Sequence, residues 1–137
     1  MNRAWSWLWR PPSTPISSWG VVAWWELRRI PFNFVIGSYG VFCLLIFLWA
    51  ITTSGRLPPS EDPVEPIALL LAPFGINLLY TLGWIVEVPA RRVLPDLSPS
   101  FGPRLLMLGL ILGVVLSTIP AAMWTGIRAL QLLGLAR

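Results

Sequence analysis

The chain contains no histidine and no lysine, and only one cysteine, Cys43. Without imidazole there can be no histidine-ligated haem, no imidazole metal site and no histidine general base. A lone cysteine cannot close an intramolecular disulfide. Acids are also scarce: the six of them are scattered along the sequence, which gives little support to paired-carboxylate chemistry. Neither a glycine-rich phosphate loop nor a nucleophile elbow is present. On these grounds no catalytic residue, cofactor or metal is expected.

What fills the chain instead is apolar. Of 137 residues 55% are hydrophobic and 12% are charged, whereas globular domains carry about a quarter charged residues. Three uncharged runs, Ile30 to Gly55, Pro66 to Val86 and Leu105 to Ile127, each reach the roughly 20 residues needed to cross a bilayer. Lacking strand alternation, they must be helices, because hydrocarbon leaves every backbone polar group to be satisfied within its own segment. The expected fold is an all-α integral membrane protein with helices at about 32–53, 66–88 and 104–128.

The N-terminal 31 residues read as a separate cytoplasmic or interfacial segment ahead of a transmembrane domain over 32–137. Trp5, Trp7 and Trp9, flanked by arginines, suit the membrane interface, where the apolar body and N–H of indole are both accommodated. Pro11, Pro12 and Pro15 predict an extended linker. Ser17 or Ser18 is expected to cap a short interfacial helix bearing Trp19, Trp24 and Trp25, interrupted at Pro31. Ser98 to Ser100 is expected to cap the third span, with Pro103 in its first turn.

Arginine placement predicts orientation, since short basic loops stay cytoplasmic. With the N-terminus inside, Arg3, Arg10, Arg28, Arg29, Arg91, Arg92 and Arg104 are cytoplasmic and Arg56, Arg128 and Arg137 lie outside, near Glu61, Asp62 and Glu65. A bacterial inner membrane with N-in, C-out topology is the expected location. The net charge of +4 is spread over membrane boundaries, so no nucleic-acid partner is expected. Membrane lipids are, including anionic headgroups at the cytoplasmic face.

Along the second span Pro73, Asn77, Tyr80, Trp84 and Glu87 fall in one sector of about 80°, bordered by Thr81. One reading is a packing face on which Asn77 bonds to a neighbouring helix and Glu87 pairs with Arg91. The other is a polar pathway or ligand groove. Small residues mark the other spans: Asn33, Gly37 and Gly40 on the first, and Gly109, Gly113, Ser117 and Ala121 on the third. Such rows let backbones approach closely, in the same chain or in a homo- or hetero-oligomer. Pro120 is expected to kink the third helix, with Ser117 helping to satisfy a freed carbonyl. Antiparallel topology brings Trp25, Glu26, Arg28, Arg29 and Asn33 to the depth of Trp84, Glu87, Arg91 and Arg92. Pairs of Glu26 with Arg91 or Arg92, and of Glu87 with Arg28 or Arg29, would then link the first two spans.

The segments "WWELRRIPFN" and "NLLYTLGWIVE" resemble motifs of small bacterial integral-membrane proteins of unknown function, in which a Trp-Trp-Glu segment precedes the first span. The resemblance covers the first and second spans. It implies Trp25, Glu26, Arg29, Asn33, Tyr80, Gly83, Trp84 and Glu87 as the positions to test, without implying an activity.

Overall fold

The structure, a computed structural model, describes residues 3–12, 17–55 and 66–135. Every regular element among them is helical: α1 (Arg3–Trp9), α2 (Ser18–Thr53), α3 (Pro66–Val93) and α4 (Phe101–Leu132). The last three are long and apolar enough to cross a membrane. At 1.5 Å per residue the 36-residue α2 is about 54 Å long, against about 30 Å of hydrocarbon. Part of it must therefore project into the interface or beyond.

The helices outrun their expected bounds, for local reasons. The segment expected as a separate interfacial helix is the start of α2, which continues through Pro31. Proline removes one N–H, but the buried stripe Val21, Trp24, Trp25, Arg28 and Phe32 runs along the helix on both sides of it. Packing of that continuous face holds the helix across the missing bond, and the expected boundary between residues 31 and 32 falls mid-helix. The short tryptophan-bearing helix that precedes the spans is instead α1. Ser17 is the cap of α2: its hydroxyl accepts from Gly20 N–H at 3.0 Å and its carbonyl from Val21 N–H at 3.1 Å.

Helix α3 passes Pro89 and closes with a Leu94 N–H to Ala90 carbonyl bond of 2.8 Å. Helix α4 begins three residues early because Ser100 supplies the first accepting carbonyl, to Arg104 N–H at 3.0 Å. Pro103 lies in that first turn, where a missing N–H costs no intrahelical bond. At the other end Gly134, at φ 71°, takes the left-handed conformation that stops a helix. Leu135 N–H bonds back to Leu130 and Gly134 N–H to Gln131, which satisfies the last carbonyls.

Contacts divide the chain into two compact units. Unit 1 comprises residues 1–34 and 75–111, and unit 2 comprises 35–74 and 112–137. In unit 2, Ile36 is fully buried against Gly113, where an added Cβ would come within 2.9 Å of Ile36 Cδ1. Tyr39 and Thr118 hydroxyls bond at 2.8 Å, and Thr118 also donates to Val114 carbonyl at 2.7 Å. Phe47 meets Trp124 edge to face, and Gln131 Nε2 donates to Ser54 carbonyl at 3.1 Å. Cys43 is buried and free, and Pro120 sits inside a continuous α4. The expected acidic cluster Glu61, Asp62 and Glu65, with Arg56, lies outside the described residues.

Candidate functional site

All eleven candidate residues lie in unit 1, and its first helices explain why. The buried stripe of α2 follows helical spacing at 21, 24, 25, 28 and 32, and one of its members is an arginine. Arg28 is only 6% exposed, so its five donors need acceptors. They find them at the end of α1: Nε donates to Leu8 carbonyl at 2.8 Å and Nη2 to Trp7 carbonyl at 2.5 Å, with a longer bond of 3.4 Å to Arg10 carbonyl. Nη1 donates to Trp24 carbonyl at 2.9 Å. The Leu8 carbonyl is one of the orphans that a helix leaves at its C-terminus, because Pro11 and Pro12 have no N–H to offer it, whereas the Trp7 carbonyl also accepts from Arg10 N–H at 3.3 Å. The guanidinium also stacks on Trp24 and Trp7, at 3.9 and 5.0 Å from the ring centroids. Trp24 Nε1 completes the clasp by donating to Arg10 carbonyl at 2.9 Å.

The neighbouring Trp25 turns to α3. Its indole N–H donates to Glu87 Oε2 at 2.7 Å, and its ring lies over Gly83, where any Cβ would collide with it. Tyr80 meets the ring edge to face at 5.3 Å and donates its hydroxyl to Trp25 carbonyl. Glu87 is fully buried and is held from its own helix by Arg91, whose Nε donates to Oε1 at 2.8 Å within an ion pair of 2.7 Å. On the third side the carboxylate rests on Gly102 in the first turn of α4: a Cβ there would lie 2.6 Å from Oε2. A negative group at that position also faces the positive end of the helix dipole. Glu87 thus joins α2, α3 and α4 at one point.

One turn further along α2, Arg29 grips Glu26 with two parallel bonds of 2.8 and 2.7 Å. It then reaches α3, donating to Asn77 Oδ1 at 3.2 Å and Thr81 Oγ1 at 3.1 Å. Asn33 Nδ2 donates to the same Asn77 oxygen at 2.9 Å. Toward the other end of the contact Arg92 Nη2 bonds Ser18 hydroxyl at 3.2 Å.

The expected convergence of the two segments is therefore present, with different partners. Glu26 pairs with Arg29 on its own helix rather than with Arg91 or Arg92, and Glu87 pairs with Arg91 rather than with Arg28 or Arg29. The reason is register. Antiparallel packing sets Trp25 opposite Glu87, which puts Arg29, one turn later, opposite Thr81 and Asn77, and rotates Arg28 toward α1. Trp84 is in the same stripe, but its buried Nε1 has no partner among the described residues, and neither has Asn33 Oδ1. Sequence reasoning missed the α1 clasp and the roles of Gly102 and the Trp25 carbonyl. A signal for the clasp existed, since Arg28 stands three and four residues after two tryptophans on one helical face. Among the described residues no group of three Cys, Asp or Glu side chains is placed to hold a metal ion.

Fold and site together define a class: a small all-helical membrane protein with three membrane-capable helices, a docked N-terminal helix and a buried polar junction. Comparison with protein-family models, with curated proteins and with solved structures finds no match to the chain.

Proposed function

We propose that this protein is a non-enzymatic structural or accessory component of a membrane assembly, packing with further copies of itself or with a larger membrane complex. One observation carries the reading. The α3 side chains that would have lined a path, Asn77, Tyr80, Thr81 and Glu87, are engaged by α2, while among the described residues the small-residue face at Gly37 and Gly40 meets no atom within 4 Å of an added Cβ. Polar groups used to join two helices in one unit, and a glycine face left open in the other, suit a packing protein. Within the most apolar stretch of each span only 22%, 11% and 11% of residues are buried by the chain itself, which leaves wide faces for lipid or partner helices. The arginine distribution supports an N-terminus in the cytosol of a bacterial inner membrane and a C-terminus outside.

Crosslinking and native mass spectrometry in lipid test this reading. An oligomer, or a stoichiometric membrane partner after gentle-detergent purification, is expected. A monomer with nothing co-purifying contradicts it. A second reading, an oligomeric transporter or channel component, draws on Trp84 Nε1 of the stripe and Asn33 Oδ1 of α2, which are buried and have no partner among the described residues. Under that reading Asn77→Leu abolishes flux; under the first it disturbs assembly and leaves every flux unchanged.

A further inference from the structure

Charge is divided unevenly between the two units. Residues 1–34 and 75–111 hold seven of the ten arginines and three of the six acids, so the whole net charge of +4 belongs to unit 1. The structure separates these arginines by employment. Arg28 is consumed by the carbonyls of α1, Arg29 by Glu26, and Arg91 by Glu87. Arg10, Arg92 and Arg104 remain exposed, while Glu26 and Glu87 are already paired and Asp96 is the exposed acid on the loop between α3 and α4.

These three arginines belong to one end of unit 1. Arg92 bonds Ser18, which places the start of α2 beside the end of α3. Glu87 rests on Gly102, which brings the start of α4 to the same end, with Arg104 in that first turn. Arg10 follows α1, which the clasp fastens to α2. Trp19, one residue after Ser18, is 83% exposed. Arg104 is the informative member: a cation in the first turn of a helix opposes the helix dipole, so its position does nothing for α4. Both α2 and α4 exceed the hydrocarbon thickness, and the end that carries three exposed arginines is the one that hydrocarbon accommodates least.

We propose that Arg10, Arg92 and Arg104, with Trp19, form a surface that holds the phosphodiester headgroups of anionic phospholipids. Guanidinium presents a planar fork that matches phosphate oxygens, and an exposed indole beside it occupies the interfacial layer where those headgroups lie. This surface does not depend on the assembly reading above, since it requires only that unit 1 meet a bilayer.

The test is spin-label electron paramagnetic resonance on the full chain reconstituted in phosphatidylcholine vesicles, with labelled phosphatidylglycerol or labelled phosphatidylcholine as the probe. The motionally restricted fraction should show selective association of phosphatidylglycerol over phosphatidylcholine. Neutralising each arginine should lower that selectivity about fivefold, so that Arg92→Gln/Arg104→Gln removes most of it. Raising sodium chloride with the unaltered chain should lower it as well, a readout that does not rely on any variant folding. Equal association of the two lipids, or a selectivity indifferent to salt or to the double substitution, overturns the proposal.

Discussion

Glu87→Gln is the most informative single substitution, because it keeps the shape of the junction and removes only its charge. The amide oxygen can still accept from Trp25 Nε1, now at 2.7 Å from a carboxylate, but as a neutral bond of about half the strength, a loss of about 1 kcal/mol. Arg91 loses its ion pair. Breaking a buried pair by removing one partner costs about 3 to 5 kcal/mol, yet Arg91 keeps 13% of its side chain exposed in the last turn of α3, and can recover hydration by swinging outward. That relief brings the expected total to about 2 to 3 kcal/mol. The assay is a double-mutant cycle with Trp25→Phe, following reversible unfolding in mixed detergent. If the indole N–H and the carboxylate are partners, the two losses couple by about 1 kcal/mol or more. Additive losses would refute the junction as described, whatever the size of each single effect.

Gly83→Ala places a methyl group inside the Trp25 ring; since Tyr80 and Glu87 pin that ring, it should lose about 1 to 3 kcal/mol in the same unfolding assay. Arg28→Ala should strip the Leu8 carbonyl of its donor and leave Trp7 carbonyl only Arg10 N–H, at about 1 to 3 kcal/mol for a carbonyl left buried and unpaired. Hydrogen exchange should then find the α1 amides unprotected while those of α3 and α4 are unchanged. Glu26→Gln, by contrast, breaks a pair whose carboxylate is 44% exposed, and should shift stability by no more than about 1 kcal/mol.

The spans themselves were legible in the sequence because their signal is cumulative: a score of apolar residues survives any local exception. The stripe from Asn77 to Glu87 was legible for the same reason, since helical geometry alone gathers those residues on one side. What could not be read was register. A sequence gives the faces of two helices but not how far one slides along the other, and a slide of one turn exchanges Arg29 for Trp25 as the partner of Glu87. Proline is misleading at Pro31, because its local cost is visible in sequence and the packing that outweighs it is not. The α1 clasp needs tertiary contact as well: in sequence Arg28 is a boundary charge with Glu87 as a candidate partner, and only the fold shows it buried against backbone carbonyls.

Register is accordingly what most directly tests the account, and cysteine crosslinking in native membranes measures it. In a Cys43→Ser background, Asn33→Cys with Asn77→Cys should join efficiently through a short bifunctional thiol reagent, since those side chains bond directly. Glu26→Cys with Arg91→Cys should not. Efficient joining of the second pair without the first would show that α2 and α3 meet in a different register, and the polar junction would be wrong.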